Sequence, residues 1–466
     1  MQEQESEAQI LTALVLQGAG ALGAYECGVI KELYRSRKKG DQEFRPDVIT
    51  GISSGAINAA ILASSGIETL EKVWLEDFAL LENGHGTPAW TFPESLARYT
   101  PPVVRESYES MVRMFEPVTA TLEPFYRNVL PPIAQQYLGY IGNESMYRLR
   151  HEYFFLPPFA ALMTTSIYDT APLKETLVKK LGQEEHLGAL NKNCSVVVTA
   201  ANAETGEPAY FGNTVCLQDA EKCNEAKEFA NLTELTVEHI LASGSLPPSF
   251  PATQIEGNYY YDGGLFLNTP LRVAIDCLKR IKRVRNLPEA KLEVIVVEAF
   301  PMRGNLPSNV EDTLYRASDI MFSSKIELDD KLFRRFNSVV DLTGDIEHLG
   351  KLATSLANKY DKLNEQLKQE LQAAGFEEKI HKLRDGFKEV EEHPELKELE
   401  QYQKIDYFTR VPFCVAHNLK NPSDFTRETL KKRIDAGAEE AHRQGIDRPK
   451  KVDTETVKAA KKADQK

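Results

Sequence analysis

Two units of strand, glycine turn and helix follow one another near the start of the chain, and they constrain the fold more than any other feature. In the first, an apolar run over 11–17 predicts a strand, and apolar residues at helical spacing over 21–37 predict a helix. In the second, a short strand over 47–50 leads through the turn 51–55 into a helix of small residues over 56–64. Strands that alternate with helices predict a mainly parallel sheet with helices on both faces.

Later segments extend this pattern. Strands are predicted over 195–201, 253–261 and 292–298, with helical stretches around Val237 and Leu271 between them. The expected fold class is therefore α/β, with a mainly parallel sheet sandwiched by helices in three layers.

The chain is too long for one ordinary domain, since it has 466 residues, of which 42% are apolar. We expect an α/β domain over 1–309 that carries an insertion of short helices at about 75–190, where Pro, Tyr, Phe and Met are frequent. A charged, helical C-terminal region is expected over 310–450. The Lys- and Ala-rich residues 451–466 are predicted to form a disordered tail.

The C-terminal region has its own internal pattern. Long helices are predicted over 310–336 and 346–392, followed by a returning strand within 405–415. A helix then follows whose cap is predicted at Ser423 or Asp424.

Charge and cysteine usage exclude some classes of partner. The chain has 69 acidic and 56 basic side chains, and its net charge of -13 opposes binding to nucleic acid. Peripheral contact with a membrane would have to use apolar side chains or a local basic patch. The six cysteines show neither the dense spacing of a disulfide scaffold nor a C-x-x-C pair. We expect free thiols, no metal and no cofactor.

The start of the chain and its hydropathy bear on location. The first nine residues carry three Glu and no Lys or Arg, which is unlike the basic start of a secretory signal. Since no segment has the roughly twenty uninterrupted apolar residues of a membrane span, a cytoplasmic location is favoured, with peripheral membrane contact as an addition.

The glycine-rich run G-A-G-A-L-G over 18–23 follows a strand and opens a helix. Such a loop presents bare N–H groups at a helix N-terminus, which suits either a pyrophosphate or a transient oxyanion. A dinucleotide site should have an acidic residue at the end of the second strand, but here Asp47 begins that strand and Gly51 ends it. The sequence therefore favours an oxyanion hole over a nucleotide site.

The run G-I-S-S-G over 51–55 has the form G-x-S-x-G and lies between a strand and a helix. In that context it predicts a nucleophile elbow, in which Gly51 and Gly55 keep the strand and the helix from colliding. Ser53 is the predicted nucleophile, because Ser54 lacks a glycine two positions before it. A plain turn before a helix N-cap is the alternative.

A serine hydroxyl needs a base within hydrogen-bonding reach to become a good nucleophile near neutral pH. The apolar strand that ends at Asp262 is followed by Gly263 and Gly264, so nothing bulky stands beside this carboxyl. Asp262 and Ser53 are both predicted at carboxyl ends of strands, where functional sites of open α/β sheets lie. An ordinary Asp-Gly turn is the alternative.

The glycine loop, the G-x-S-x-G motif and the D-G-G motif, in this order, resemble the patatin-like phospholipase family over nearly all of 11–271. The flanking runs A-S-G-S-L-P-P-S-F-P over 242–251 and L-F-L-N-T-P-L over 265–271 add to this resemblance. The run N-P-S-D-F-T over 421–426 resembles, more weakly, the end of larger bacterial members with an extra C-terminal region.

This resemblance implies a lipid acyl hydrolase that cleaves carboxylic esters of phospholipids or lysophospholipids through an acyl-enzyme. It implies a dyad of Ser53 and Asp262 without histidine, supported by the motif glycines Gly51, Gly55, Gly263 and Gly264. It implies an oxyanion hole at Gly18, Ala19, Gly20, Ala21 and Gly23. The loop departs from the family pattern, because Ala19 replaces one of three consecutive glycines and Leu22 stands where a basic residue is usual.

Two other classes remain open at this stage. An α/β-hydrolase esterase with a Ser-His-Asp triad needs a histidine after the acid, and five histidines follow Asp262, all in charged or C-terminal surroundings. A non-catalytic protein that binds lipid or nucleotide is the other class.

Overall fold

The computed structural model describes residues 9–38, 43–79, 142–143, 145–150, 162, 164–181, 190, 194–213, 234–323, 326–391 and 404–452. In this part of the chain the strands are β1 Ile10–Leu16, β2 Val48–Gly51, β3 Gly142–Asn143, β4 Tyr147–Leu149, β5 Tyr168–Asp169, β6 Ser195–Asn202, β7 Pro208–Gly212, β8 Thr253–Ile255, β9 Asn258–Asp262, β10 Lys291–Val297 and β11 Tyr407–Val411. The α-helices are α1 Gly23–Ser36, α2 Ser54–Lys72, α3 Ala171–Leu181, α4 Val237–Ser243, α5 Leu271–Val284, α6 Val310–Phe322, α7 Ile326–Asp361, α8 Glu365–Ala373, α9 Phe376–Glu391 and α10 Arg427–Arg443.

One mixed sheet of eight strands organises the molecule. Its order is β11-β10-β1-β2-β6-β9-β8, with β7 also paired to β6. The five strands from β11 to β6 run parallel, whereas β7, β8 and β9 add antiparallel pairs. The mainly parallel sheet expected from the sequence is therefore confirmed.

Helices cover both faces of this sheet. On one face, buried side chains such as Leu14, Leu16 and Ile295 join the apolar sides of α1, α2 and α10 in the larger core. On the other, alternate residues such as Val15 and Val294 pack against α5 in a smaller core. Strands with both faces buried read as continuous apolar runs, which explains why β1 and β10 lack an apolar–polar alternation.

Two strands meet end to end along one edge of β6, and this junction positions the site described below. The last residue of β2, Gly51, pairs with Val198, and the last residue of β9, Asp262, pairs with Ala200. Since β7 pairs with both Val198 and Ala200, it occupies the opposite edge of β6. The ends of β2 and β9 therefore face each other across a gap of about one residue of β6.

The segment 253–261, predicted as one strand, forms a hairpin instead. β8 and β9 are joined by Glu256 and Gly257, whose φ angles are 49° and 88°. Two consecutive residues with positive φ make a tight hairpin turn that reverses the chain. The reversal makes β9 antiparallel to β6 and so directs Asp262 toward the end of β2.

The C-terminal part of the chain returns to the sheet. β11 pairs in parallel with β10, and α10 packs along α1. The helix begins at Arg427 with Thr426 as its N-cap, so the cap predicted at Ser423 or Asp424 is wrong by two or three residues. Asp424 instead accepts hydrogen bonds from the Thr426 N–H and the Thr429 hydroxyl, which orders the turn just before the helix. The division of the chain at residue 309 stays a prediction, and it separates α10 from the core that it joins.

The insertion predicted at about 75–190 lies mostly outside the described residues. Its described parts include α3 and a small antiparallel sheet in the order β3-β4-β5. The predicted tail over 451–466 lies outside them beyond residue 452.

The crossing of α1 and α10 depends on two glycines and gives a first prediction. A Cβ atom on Gly28 would lie 1.9 Å from the Ile434 carbonyl oxygen, and one on Gly437 would lie 2.1 Å from the Tyr25 carbonyl oxygen. We expect Gly437→Ala to lower the free energy of unfolding by about 1–3 kcal/mol or more, because backbone must move to accept the methyl group. Urea unfolding followed by circular dichroism measures the change.

Gly344→Ala is the matched control for this prediction. Gly344 lies in α7, and a Cβ atom there would meet nothing within 4 Å. We expect that variant to be stabilised by about 0.5–1 kcal/mol, since alanine loses less entropy than glycine in a helix. Equal shifts in both variants would show that the helix crossing is not tight.

Candidate active site

The G-x-S-x-G turn holds Ser53 in a backbone conformation that few non-glycine residues adopt. Ser53 has φ 53° and ψ -122° and lies between β2 and α2. Its N–H donates to both the carbonyl oxygen and the hydroxyl of Ser243, each at 3.1 Å. A residue forced into such a conformation costs about 1–3 kcal/mol, which the surrounding contacts must offset. The sharp turn leaves the Ser53 side chain half exposed at the end of β2.

The carboxyl of Asp262 is buried beside Ser53. The residue is 3% exposed, its Oδ1 accepts the Gly264 N–H at 2.7 Å, and the Ser53 side chain stands close enough to favour its charged form. Burial raises the pKa of Asp262 from 3.8 to about 7, although the Gly264 N–H and the Ser53 hydroxyl both act to lower it. A carboxyl with a pKa near 7 is a far better proton acceptor than an ordinary aspartate.

The junction of β2 and β9 on β6 explains why these two residues meet. Ser53 follows the end of β2 by two residues, and Asp262 is the last residue of β9. Thr199 of β6 lies between their pairing positions, and its carbonyl oxygen accepts the Ser243 hydroxyl at 2.7 Å. The structure thus brings together the two residues that the sequence predicts as nucleophile and base.

The motif glycines are needed because backbone approaches them closely. A Cβ atom on Gly51 would lie 2.3 Å from the Gly55 carbonyl oxygen, and one on Gly55 would lie 2.6 Å from the Gln17 carbonyl oxygen. At Gly263 it would lie 2.4 Å from the Thr199 carbonyl oxygen. Side chains at these positions would push the strand ends apart, so these glycines belong to the geometry of the elbow and of the Asp262 turn.

The glycine loop lies directly against Ser53, but most of its N–H groups already have acceptors. A Cβ atom on Gly18 would lie 2.8 Å from that of Ser53. The N–H of Gly18 donates to Asn268 Oδ1 at 3.1 Å, that of Ala19 to Ser54 Oγ at 3.0 Å, and that of Ala21 to the Pro422 carbonyl at 2.8 Å. Within the part of the chain that the structure describes, the N–H groups of Gly20 and Ser54 have no acceptor.

Most of the loop residues predicted as oxyanion donors use their N–H groups in hydrogen bonds within the protein itself. The N–H groups of Gly18, Ala19 and Ala21 hold the loop in place, and the Gly23 N–H donates to the Gly20 carbonyl oxygen. The two N–H groups left over belong to a loop residue, Gly20, and to the residue after the nucleophile, Ser54. That pairing is the one that nucleophile elbows use. A phosphate nest would need several free N–H groups in succession, which this loop lacks, so the geometry disfavours the nucleotide-binding alternative.

Asn268 is a site residue whose part the sequence reasoning missed. Its side chain accepts the Gly18 N–H and donates to the Gly18 carbonyl oxygen at 3.1 Å each, and it also donates to the Phe322 carbonyl oxygen at 3.0 Å. It therefore joins the glycine loop to the end of α6. The available signal was a polar residue within the apolar run after the D-G-G motif.

A buried carboxyl supports the loop from below. Glu26 is fully buried, and it accepts the Gln17 N–H at 2.7 Å and Asn58 Nδ2 at 2.9 Å. Burial raises the pKa of Glu26 to about 8. The Asn58 side-chain Oδ1 accepts the Trp74 indole N–H at 2.8 Å, so this network joins β1, α1 and α2 beneath the site.

Leu22 stands where the family resemblance predicts a basic residue, and it is buried at 2% exposure. A cation reaches the same loop from a distant part of the sequence, since Arg433 Nη1 of α10 donates to the Ala21 carbonyl oxygen at 3.2 Å. Neither Pro422 nor Arg433 carried a signal that sequence reasoning could have tied to this loop.

The described histidines have partners other than Ser53 and Asp262. After Asp262, His417 lies 2.8 Å from Asp312, His442 lies 3.5 Å from Glu32, and His381 lies 3.9 Å from Asp361. No hydrogen bond joins a histidine to Ser53 or Asp262 among the residues that the structure describes. His393 lies outside that part of the chain. The observed contacts thus favour a two-residue site over a Ser-His-Asp triad.

No helix in the described ranges is both long enough and apolar enough to cross a membrane. No group of three or more His, Cys, Asp and Glu side chains there is arranged to hold a metal ion.

Comparisons with known proteins bear on the family. The family model described as patatin-like phospholipase matches residues 14–275. Among curated proteins, no sequence matches significantly. Among solved structures, the chain is similar to VipD from Legionella pneumophila, at 13% identity and a TM-score of 0.33, covering 94% of this chain and 67% of that one.

Proposed function

Because the chain belongs to the patatin-like phospholipase family, we propose that it is a serine-dependent lipid acyl hydrolase acting through a dyad of Ser53 and Asp262. The observation that carries this proposal is that the Ser53 side chain lies beside a buried carboxyl whose pKa is raised to about 7. The strained elbow and the neighbouring free N–H groups support the same assignment.

In the first half of the proposed reaction, Asp262 accepts the proton from Ser53 Oγ, and Oγ attacks the ester carbonyl carbon. The carbonyl oxygen becomes an oxyanion that the N–H groups of Gly20 and Ser54 stabilise. Each such donor contributes about 3 kcal/mol to the transition state in enzymes of this kind. The tetrahedral intermediate collapses, and the alcohol leaves with the proton held by Asp262. The fatty acyl group stays on Ser53.

In the second half, Asp262 accepts a proton from a water molecule, which attacks the acyl-enzyme carbonyl carbon. The second tetrahedral intermediate breaks its bond to Ser53 Oγ, which regains the proton from Asp262. A fatty acid leaves, and the dyad returns to its starting state. The same carboxyl therefore serves as base and acid in both halves.

Exposed apolar side chains next to the dyad support a lipid as substrate. Leu265, Phe266 and Leu267 follow the D-G-G motif directly and are 50%, 55% and 43% exposed. Three consecutive large apolar residues at the surface offer contact area to a fatty acyl chain. We propose that the same residues supply the peripheral contact with a lipid surface, because the net charge disfavours electrostatic docking.

Release of fatty acid from three substrates tests the function. We expect the protein to hydrolyse phosphatidylcholine vesicles, lysophosphatidylcholine or p-nitrophenyl butyrate, since the dyad acts on any carboxylic ester that reaches it. Ser53→Ala should abolish this release, and Ser64→Ala is its matched control, because the Ser64 hydroxyl lies in α2 and contacts the Ile61 carbonyl oxygen and the Ser65 hydroxyl. Failure to release acid from all three substrates would contradict the proposal.

A further inference from the structure

A buried arginine ties the C-terminal segment together just above the glycine loop. The Arg433 side chain has 0% exposure, and its guanidinium donates to the carbonyl oxygens of Leu419 at 2.9 Å, Asn421 at 2.6 Å and Asp424 at 2.7 Å. A fourth hydrogen bond, at 3.2 Å, goes to the carbonyl oxygen of Ala21. A planar guanidinium can hold several acceptors in fixed directions, which a single ammonium group cannot do.

The contacts of Arg433 and Pro422 clamp Ala21 at both ends. The Ala21 N–H donates to the Pro422 carbonyl oxygen at 2.8 Å, and the Ala21 carbonyl oxygen accepts from Arg433. Gly20, just before it, has φ 55°, and a Cβ atom there would lie 2.8 Å from the Pro422 carbonyl oxygen. The C-terminal segment therefore contacts the glycine loop at the residue whose N–H is free.

Burying a cation is costly unless its hydrogen bonds are satisfied. Burial lowers the pKa of Arg433 to about 10, so the side chain stays protonated near neutral pH. Its four acceptors are carbonyl oxygens, three from the 419–424 segment and one from the glycine loop. Loss of the guanidinium would free the segment that presents the Pro422 carbonyl to Ala21, as well as the Ala21 carbonyl itself.

We propose that Arg433 is a positioning residue for the oxyanion loop and that residues 419–433 form part of the catalytic unit. These residues lie outside the range 14–275 that matches the family model. The inference rests on the proposed function, because it assigns the Gly20 N–H to the oxyanion. Arg433 acts through Ala21 and the turn at Gly20, without touching the substrate.

The test compares Arg433→Met and Arg433→Lys with the wild-type chain. The measurements are kcat and KM for p-nitrophenyl butyrate, with active sites counted by labelling to completion with a fluorophosphonate. We expect Arg433→Met to lower kcat by about 10–100-fold, a part of the 10²–10³-fold loss typical when an oxyanion donor is removed, with KM unchanged within about twofold. Arg433→Lys should recover part of kcat, because an ammonium group keeps the positive charge but cannot make all the directed hydrogen bonds of the guanidinium.

A trifluoromethyl ketone inhibitor adds a readout that a merely structural role would not move. Such an inhibitor forms an oxyanion on the serine, so its inhibition constant should rise by about the same factor as kcat falls. Lys432→Met is the control, because Lys432 is exposed in α10 and pairs only with Glu428. It should leave kcat, KM and the inhibition constant unchanged.

Wild-type kcat per active site in the Arg433 variants would overturn the inference, even if their thermal stability is lower. If Arg433→Met does not fold, Arg433→Lys alone decides, since its kcat must fall at constant KM. Failure of the proposed function looks different, because the wild-type chain would then hydrolyse no ester and Ser53 would not be labelled.

Discussion

Ser53→Ala is expected to lower kcat for ester hydrolysis by about 10⁴-fold or more, and Asp262→Asn by about 10²–10⁴-fold. The first variant removes the atom that would form the acyl-enzyme. The second keeps the shape of the side chain, and its Oδ1 can still accept the Gly264 N–H, but an amide cannot accept the serine proton. The two losses should not add in the double variant, because the residues act as a unit.

Steady-state kinetics on p-nitrophenyl butyrate and on a phospholipid measures these losses. Ser64→Ala and Asp435→Asn are the matched controls, since Ser64 lies in α2 away from the elbow and Asp435 is exposed on α10. Both controls should keep wild-type kinetics. An Asp262→Asn variant as active as the controls would contradict the assignment of Asp262 as the base. An active Ser53→Ala variant would contradict the assignment of Ser53 as the nucleophile.

The pH profile of kcat/KM should rise about tenfold per pH unit below pH 7 and level off above it. Asp262 must be deprotonated to accept the serine proton, and its pKa is raised to about 7 by burial. Between pH 5 and pH 8 the account therefore predicts an increase of about 100-fold. An aspartate with its ordinary pKa, near 4, would give a flat profile over that range.

Glu26 is the other buried carboxyl near the loop that titrates in this range, since burial raises its pKa to about 8. Glu26→Gln removes this ionisation and leaves Asp262 in place, so the inflection near pH 7 should persist in that variant. A flat wild-type profile, or an inflection that disappears with Glu26 alone, would contradict the assignment of the base.

The raised pKa of Asp262 also predicts an effect on stability. The folded state holds the Asp262 proton up to about pH 7, whereas the unfolded chain releases it near pH 4, so stability is lost as pH rises between these values. Asp262→Asn carries no such charge and should therefore be more stable than the wild type at pH 8, by up to about 4 kcal/mol. The difference should disappear near pH 4.

The local parts of the site could be predicted from the sequence. The elbow at Ser53 depends on a strand, two glycines and a helix of small residues, all within residues 47–64. Asp262 could be predicted because a strand followed by two glycines leaves the carboxyl accessible. In both cases the residues that shape the turn are neighbours along the chain, so a short sequence motif is enough to predict it.

The contacts that join these parts could not be predicted in the same way. The meeting of β2 and β9 depends on the register of both strands along β6 and on the hairpin at Glu256 and Gly257, which was predicted as continuous strand. A turn with Glu at a positive φ carries no strong sequence signal. The clamps on the glycine loop from Asn268, Pro422 and Arg433 are separated from it by 250 to 412 positions.

Amino-acid composition did not predict how the C-terminal region packs. Its high charge predicted a region separate from the α/β domain, and much of α7 to α9 carries exposed charged residues as expected. α10, however, buries Arg433 and Glu440 and meets α1 at two glycines. A helix that is charged overall can still join a core through a few positions, and only the packing reveals which ones.

The most direct test of the account is to map the residue that a fluorophosphonate modifies, by peptide mass spectrometry of the wild-type chain and of Asp262→Asn at pH 8. We expect one adduct in the wild type, on Ser53, and labelling of Asp262→Asn that is slower by about 10²-fold or more. An adduct on another residue, or equal labelling rates in the two chains, would contradict it.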